Sequence, residues 1–275
     1  MPPVTRHHNP GSTDWGLAAS WHDGYGAASA VPLDTDNLYF GQGQDAVTGT
    51  MNQSAIDLTS LTGTTGFGGR VGGAGAPLQL DVNQASTGIW EKGDNGVWYW
   101  TGTIWTMNMR RGTFNATGGT IDKLNIWGGE MNVEDGCDLN GNPVVINGGV
   151  VSIDYKAGDA PNIVQHGGVL YCYRTFGTYT INGGRGVIRV ENTANAGATL
   201  TINGDGSIDY QAGNMSTTIA GNDGGLTFAN MVRPITIAAA TYAGVKVTNR
   251  NGANGLVVTY SSGPTLSSPP DPGVD

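Results

Sequence analysis

Pairs of glycine recur through the second half of this chain at a nearly constant interval, and that interval constrains the fold more than any other feature. The landmarks are Gly128-Gly129, Gly148-Gly149, Gly167-Gly168, Gly183-Gly184, the variant Gly204-Asp205-Gly206, and Gly224-Gly225, with successive spacings of 20, 19, 16, 21 and 20. Each opens a run of alternating apolar and polar residues, as in Gly149-Val150-Val151-Ser152-Ile153 and Gly168-Val169-Leu170-Tyr171-Cys172. Period-2 alternation between glycine breaks is the pattern of short strands joined by tight turns. Two segments repeat almost word for word, Ser152-Ile153-Asp154-Tyr155-Lys156-Ala157-Gly158 and Ser207-Ile208-Asp209-Tyr210-Gln211-Ala212-Gly213, at a separation close to three of these periods.

A unit of about twenty residues cannot bury an apolar face alone and must stack on copies of itself. The leading expectation is an all-β, Gly-rich parallel β-helix over 111–260. The rival is a β-sandwich or barrel, whose turns come every 8 to 12 residues; Gly118-Gly119, ten positions before Gly128, fits that spacing. Helical bundles are excluded, because 46 of 275 residues are glycine and each glycine inside a helix costs about 1 kcal/mol relative to alanine. Open sheet edges at the ends of a solenoid need covering. Residues 41–110, which concentrate Trp90, Trp98, Tyr99, Trp100 and Trp105, are expected as a small β cap, residues 1–40 as an extended N-terminal arm, and the Pro-rich 261–275 as a C-terminal tail.

The net charge of −9, from 13 basic and 22 acidic residues, argues against nucleic acid. No run of 18 apolar residues and no leader-like stretch occurs, so a soluble protein without a membrane partner or cleaved leader is expected. Cys137 and Cys172 lack paired metal-ligand spacing and read as small buried side chains, with a disulfide open only if the fold brings them together.

The search for chemistry returns weak signals. Asp154 and Asp209 hold equivalent places in the repeated word, but three coils would separate them by about 14 Å, too far for a glycosidase pair. Asp138-Leu139-Asn140-Gly141-Asn142 resembles a calcium loop, except that Pro143 stands where the turn glycine belongs and Gly149 where the bidentate Glu belongs. It and Asp34-Thr35-Asp36-Asn37 read as turns. His7 and His8 beside Arg6 read as a flexible basic start and His166 as a turn residue. The expectation is no catalytic residue, no cofactor and no metal: not an enzyme.

The N-terminal segment reads Asp14-Trp15-Gly16-Leu17-Ala18-Ala19-Ser20-Trp21-His22-Asp23-Gly24, then Val31-Pro32-Leu33-Asp34-Thr35-Asp36-Asn37-Leu38-Tyr39-Phe40. Paired tryptophans followed by a proline, an aspartate and a short strand resemble structural proteins of tailed phages and some β-helical surface proteins. Ile56-Asp57-Leu58-Thr59-Ser60-Leu61, Gly66-Phe67-Gly68-Gly69 and Pro77-Leu78-Gln79-Leu80 resemble a second block of the same proteins. The resemblance runs from the amino end to Leu80. It implies a virion component: a bacteriophage capsid decoration (cement) protein, with a β-helical tail fibre, spike or adhesin that binds, or less readily cleaves, host polysaccharide as the alternative. The implied partner is the major capsid protein, the localisation the capsid surface, and the oligomer a trimer. Trp15, Trp21, Pro32, Leu38, Tyr39 and Phe40 are the candidate contact residues, unless they cap the domain's own core.

Overall fold

In the computed structural model the chain is a parallel β-solenoid. The described residues are 4–25, 30–140, 143–154, 160–174, 176–189, 199–203, 206–212, 218–222, 225–228, 235–239, 246–249 and 256–260, with side chains described as far as 208 except at 85, 189 and 199. The anticipated tail 261–275 lies outside them, as do Gly141, Asn142, Gly204 and Asp205. Among the described residues, apart from two short 3-10 turns, Ala18–Ser20 and Gln84–Ser86, the regular elements are strands. The chain divides into two compact units, Met1–Asn142 and Pro143–Asp275.

In unit 2 the glycine interval is the coil length. Val144 pairs in parallel with Ile163, Ile163 with Tyr179 and Tyr179 with Leu200, so successive steps along the chain are 19, 16 and 21. A second column runs Val150, Val169, Arg185, Ser207. Val151, Ile153, Leu170, Cys172, Ile181 and Ile188 point inward and are buried. The second glycine of three pairs, Gly149, Gly168 and Gly184, carries the geometry. Gly168 and Gly184 have φ of +72° and +82°, and a Cβ on either would stand 2.5 Å from the carbonyl oxygen of the corresponding glycine one coil earlier, Gly149 or Gly168. Left-handed backbone and close coil stacking together demand glycine at that corner.

The same register corrects one expectation. Ser152 pairs with Tyr171, Tyr171 with Val187, and Val187 with Asp209. Asp209 therefore shares a column with Ser152, not with Asp154. The coil from Arg185 to Ser207 is longer than the two before it, and the extra length shifts the repeated words out of phase. Asp154 and Asp209 are not equivalent positions.

In unit 1 the parallel stack begins at the amino end. Thr5–His8 pairs with Asn37–Phe40, which pairs with Ser60–Gly63, then Ile89–Lys92, then the far half of Val97–Met109, then that of Thr113–Ile126. The residues anticipated as a cap therefore wind in the same register as the rest of the unit. The coils there are long and uneven, Asn37 to Ser60 and then Ser60 to Ile89, before they settle into the shorter regular steps Ile89 to Thr106 and Thr106 to Lys123. Inside runs a chain of perpendicular aromatic contacts: Trp15 on Trp21 (5.0 Å between centroids), Trp21 on Phe40 (5.7 Å), Phe40 on Trp98 (4.9 Å), Trp98 on Trp90 (5.2 Å) and Trp90 on Phe114 (5.1 Å). Edge-to-face pairs add about 0.5–1.5 kcal/mol each beyond their buried area, so this seam ties the first coil to the body.

Candidate functional site

The structure places the six anticipated contact residues in the first coils, mostly inside the protein. Trp15, Trp21, Leu38 and Phe40 are 0–1 % exposed; Pro32 is buried and Tyr39 half-buried. Trp21 Nε1 donates to the Trp15 carbonyl at 2.9 Å, and Trp15 N to the Gly49 carbonyl at 3.1 Å. These residues form the core of the first coils. Tyr39 alone of the six reaches a surface, against His7.

The basic start is ordered as well. Arg6 points inward and pairs with Asp36 at 2.5 Å, their side chains 7 % and 4 % exposed. Asp36 also accepts from the backbone N–H groups of Val4 and Leu33. Asp36 is therefore a lock on the first strand, and the flexible reading of residues 6–8 fails because that strand has a parallel partner in Asn37–Phe40. A second charged pair lies deeper. Lys92 Nζ donates to Asp94 Oδ1 at 2.5 Å and to the carbonyls of Asp94, Gly96 and Arg111, at 0 % exposure on both sides. Burial pulls the Lys92 ammonium below its ordinary pKa and pushes the Asp94 carboxyl above its own, their mutual attraction opposing both. The pair closes the corner between two strands. Neither pair was legible, because Arg6 and Asp36 are distant in the chain and nothing in Lys92-Gly93-Asp94 marks an inward lysine.

The outer surface of unit 1 carries a different constellation. Five of the seven tryptophans are fully buried; the other two, Trp105 and Trp127, face outward. Each is matched to a cation: Lys123 Nζ lies 4.7 Å from the Trp105 ring centroid and Arg110 Cζ 4.6 Å from that of Trp127. Trp127, 43 % exposed, follows the strand Thr113–Ile126 at a coil corner, its backbone N–H donating to the Met109 carbonyl. Positions 105 and 110 are about 16 Å apart along an extended strand. Between these corners a side-chain ladder crosses three coils. Asn125 Nδ2 donates to Asn108 Oδ1 at 3.0 Å, and Asn108 Nδ2 to Glu91 Oε1 at 2.6 Å. Outward parity from the buried Trp90, Met107 and Leu124 puts the ladder on the outside. The sequence signal was present in Trp105 and Trp127, but nothing in it separated them from the buried tryptophans.

His166 stands exposed at a coil corner of unit 2, 3.4 Å from the Asn182 side chain. Both cysteines are buried thiols outside any disulfide, and burial pushes the Cys172 thiol up to about 11. Among the described residues there is no cluster of three or more metal-type ligands, and no helix is long and apolar enough to cross a membrane. No family model, curated protein or solved structure matches this chain.

Proposed function

We propose that this chain is a structural protein of a virion, a capsid decoration protein that binds the shell through the outer face of its folded coils. The observation that carries the reading is the partition of the tryptophans: five build the core, and two stand outside, each against a cation, where the core has no use for them. Trp and Arg dominate the energetics of protein interfaces, and Trp127 with Arg110 offers such an anchor. The partner is the major capsid protein and the oligomer a trimer, a closed form that does not stack without limit. The binding residues in this reading are Trp105, Arg110, Lys123 and Trp127 in place of the buried aromatics of the first coil. Mixing purified protein with undecorated capsids tests it: co-sedimentation and a raised shell melting temperature are expected, both lost in Trp127→Ala. Unchanged shell melting with no co-sedimentation would refute it.

The ladder Glu91–Asn108–Asn125 between two outward tryptophans favours one second reading, a fibre or adhesin that binds host surface polysaccharide without cleaving it. Rings supply stacking faces, and amides supply paired donors and acceptors. Saturable binding on a panel of host glycans without product release would support it; silence across the panel would leave the capsid reading.

A further inference from the structure

We propose that the first coil, residues 4–25, is a latch released by acid, and that protonation of the buried His8 imidazole is what opens it. His8 sits on the strand Thr5–His8 and is 4 % exposed. Its ring stacks on Phe40 (4.6 Å, 15°) and meets Trp21 edge-on (5.4 Å, 79°). Neither ring nitrogen has a hydrogen-bond partner. In the stacked geometry the in-plane N–H bonds cannot point at the face of Phe40, so an imidazolium here would be a buried charge without an acceptor.

The groups around it reinforce this. His22, from Trp21–His22, faces the same strand and opposes a second positive charge; burial is the larger effect, and together they hold the His8 pKa down to about 4. On the outer side of the strand His7 stacks on His22 (5.2 Å, 24°) and lies against Tyr39. Its pKa is lowered by burial and by His22, with Asp23 opposing. Arg6 on the same strand is engaged by Asp36 from the next coil. His7, His8, His22 and Tyr39, with Pro10, Gly41 and Gln42, line a cleft of about 330 Å³.

The sign follows from linkage. A His whose folded pKa lies below its free value binds protons better once released, so acid favours release. The packed state is undisturbed above about pH 7. Between a free pKa of about 6.5 and a folded value of about 4, release gains about 30-fold at pH 5 and approaches about 300-fold below pH 4. Release would uncover Trp15 and Trp21 and turn the packed segment into an extended arm.

Hydrogen exchange on the full chain, expressed as protection factors against intrinsic rates at pH 7.5 and pH 5.0, tests this. A loss of about 30-fold is expected in residues 4–25 and not in 97–126. His8→Phe and His8→Leu keep an apolar side chain without the titrating group and should hold protection at pH 5.0. Unchanged wild-type protection in 4–25, an equal loss in 97–126, or the wild-type loss persisting in both variants would overturn the proposal. The wild-type comparison decides whether acid releases the segment even if both variants fail to fold.

Discussion

At the scale of single residues, the fold depends on positions where one side chain has no substitute. Gly168 combines a left-handed φ of +72° with a would-be Cβ 2.5 Å from the Gly149 carbonyl oxygen. Gly168→Ala should lower stability by roughly 2–3 kcal/mol in thermal or denaturant unfolding, whereas Gly73→Ala, with nothing within 4 Å, should be close to neutral. Equal effects would remove the stacking argument for the glycine pairs. Lys92→Met leaves Asp94 buried without its cation and should cost about 3–5 kcal/mol, a loss that a second change, Asp94→Leu, partly restores. Both thiols should resist a thiol reagent in the native protein and react after denaturation, since Cys137 and Cys172 are 0 % exposed; prompt native labelling would contradict their placement.

Among the elements, legibility divides near Arg110. The coils cornered at Gly129, Gly149, Gly168 and Gly184 share one left-handed glycine geometry, so their glycine pairs and alternating strands expose the period directly. The early coils, from Asn37 to Ser60 and from Ser60 to Ile89, differ in length and have no repeated corner. There the alternation in Leu78–Asp81 was visible but not its partner in the stack, and Trp15, Trp21 and Trp98 could be recognised as aromatic without showing which way they face. The slip between the repeated words escaped for a related reason, because a corner of variable length changes the phase while leaving the words intact. The outward ladders were equally hidden: Asn108 and Asn125 are separated by a full coil, and their relation exists only once the register is known. Asn108→Asp sets a carboxylate against Glu91 and loses the donated hydrogen bond, so it should destabilise by about 1–2 kcal/mol at pH 7, and less at pH 4 as the carboxylates protonate. A pH-independent loss in urea unfolding would show that the amide contact is not the cause.

Across the whole molecule, the described residues of the amino end, 4–25 and 30–40, change where a binding surface can lie. Expected as an extended arm, they are instead wound into unit 1 near neutral pH by an aromatic seam, an Arg6–Asp36 lock and a neutral His8. The proposed binding through such a body requires an outward surface, which Trp105 and Trp127 offer. The most direct measurement is a cryo-EM reconstruction of capsid shells saturated with this protein at pH 7.5. The account calls for stacked coils about 4.8 Å apart on the shell surface, Trp127 at the contact, and residues 4–25 folded on their own body. Bare shells, or a first segment running extended across neighbouring capsid subunits while Trp127 faces solvent, would contradict it.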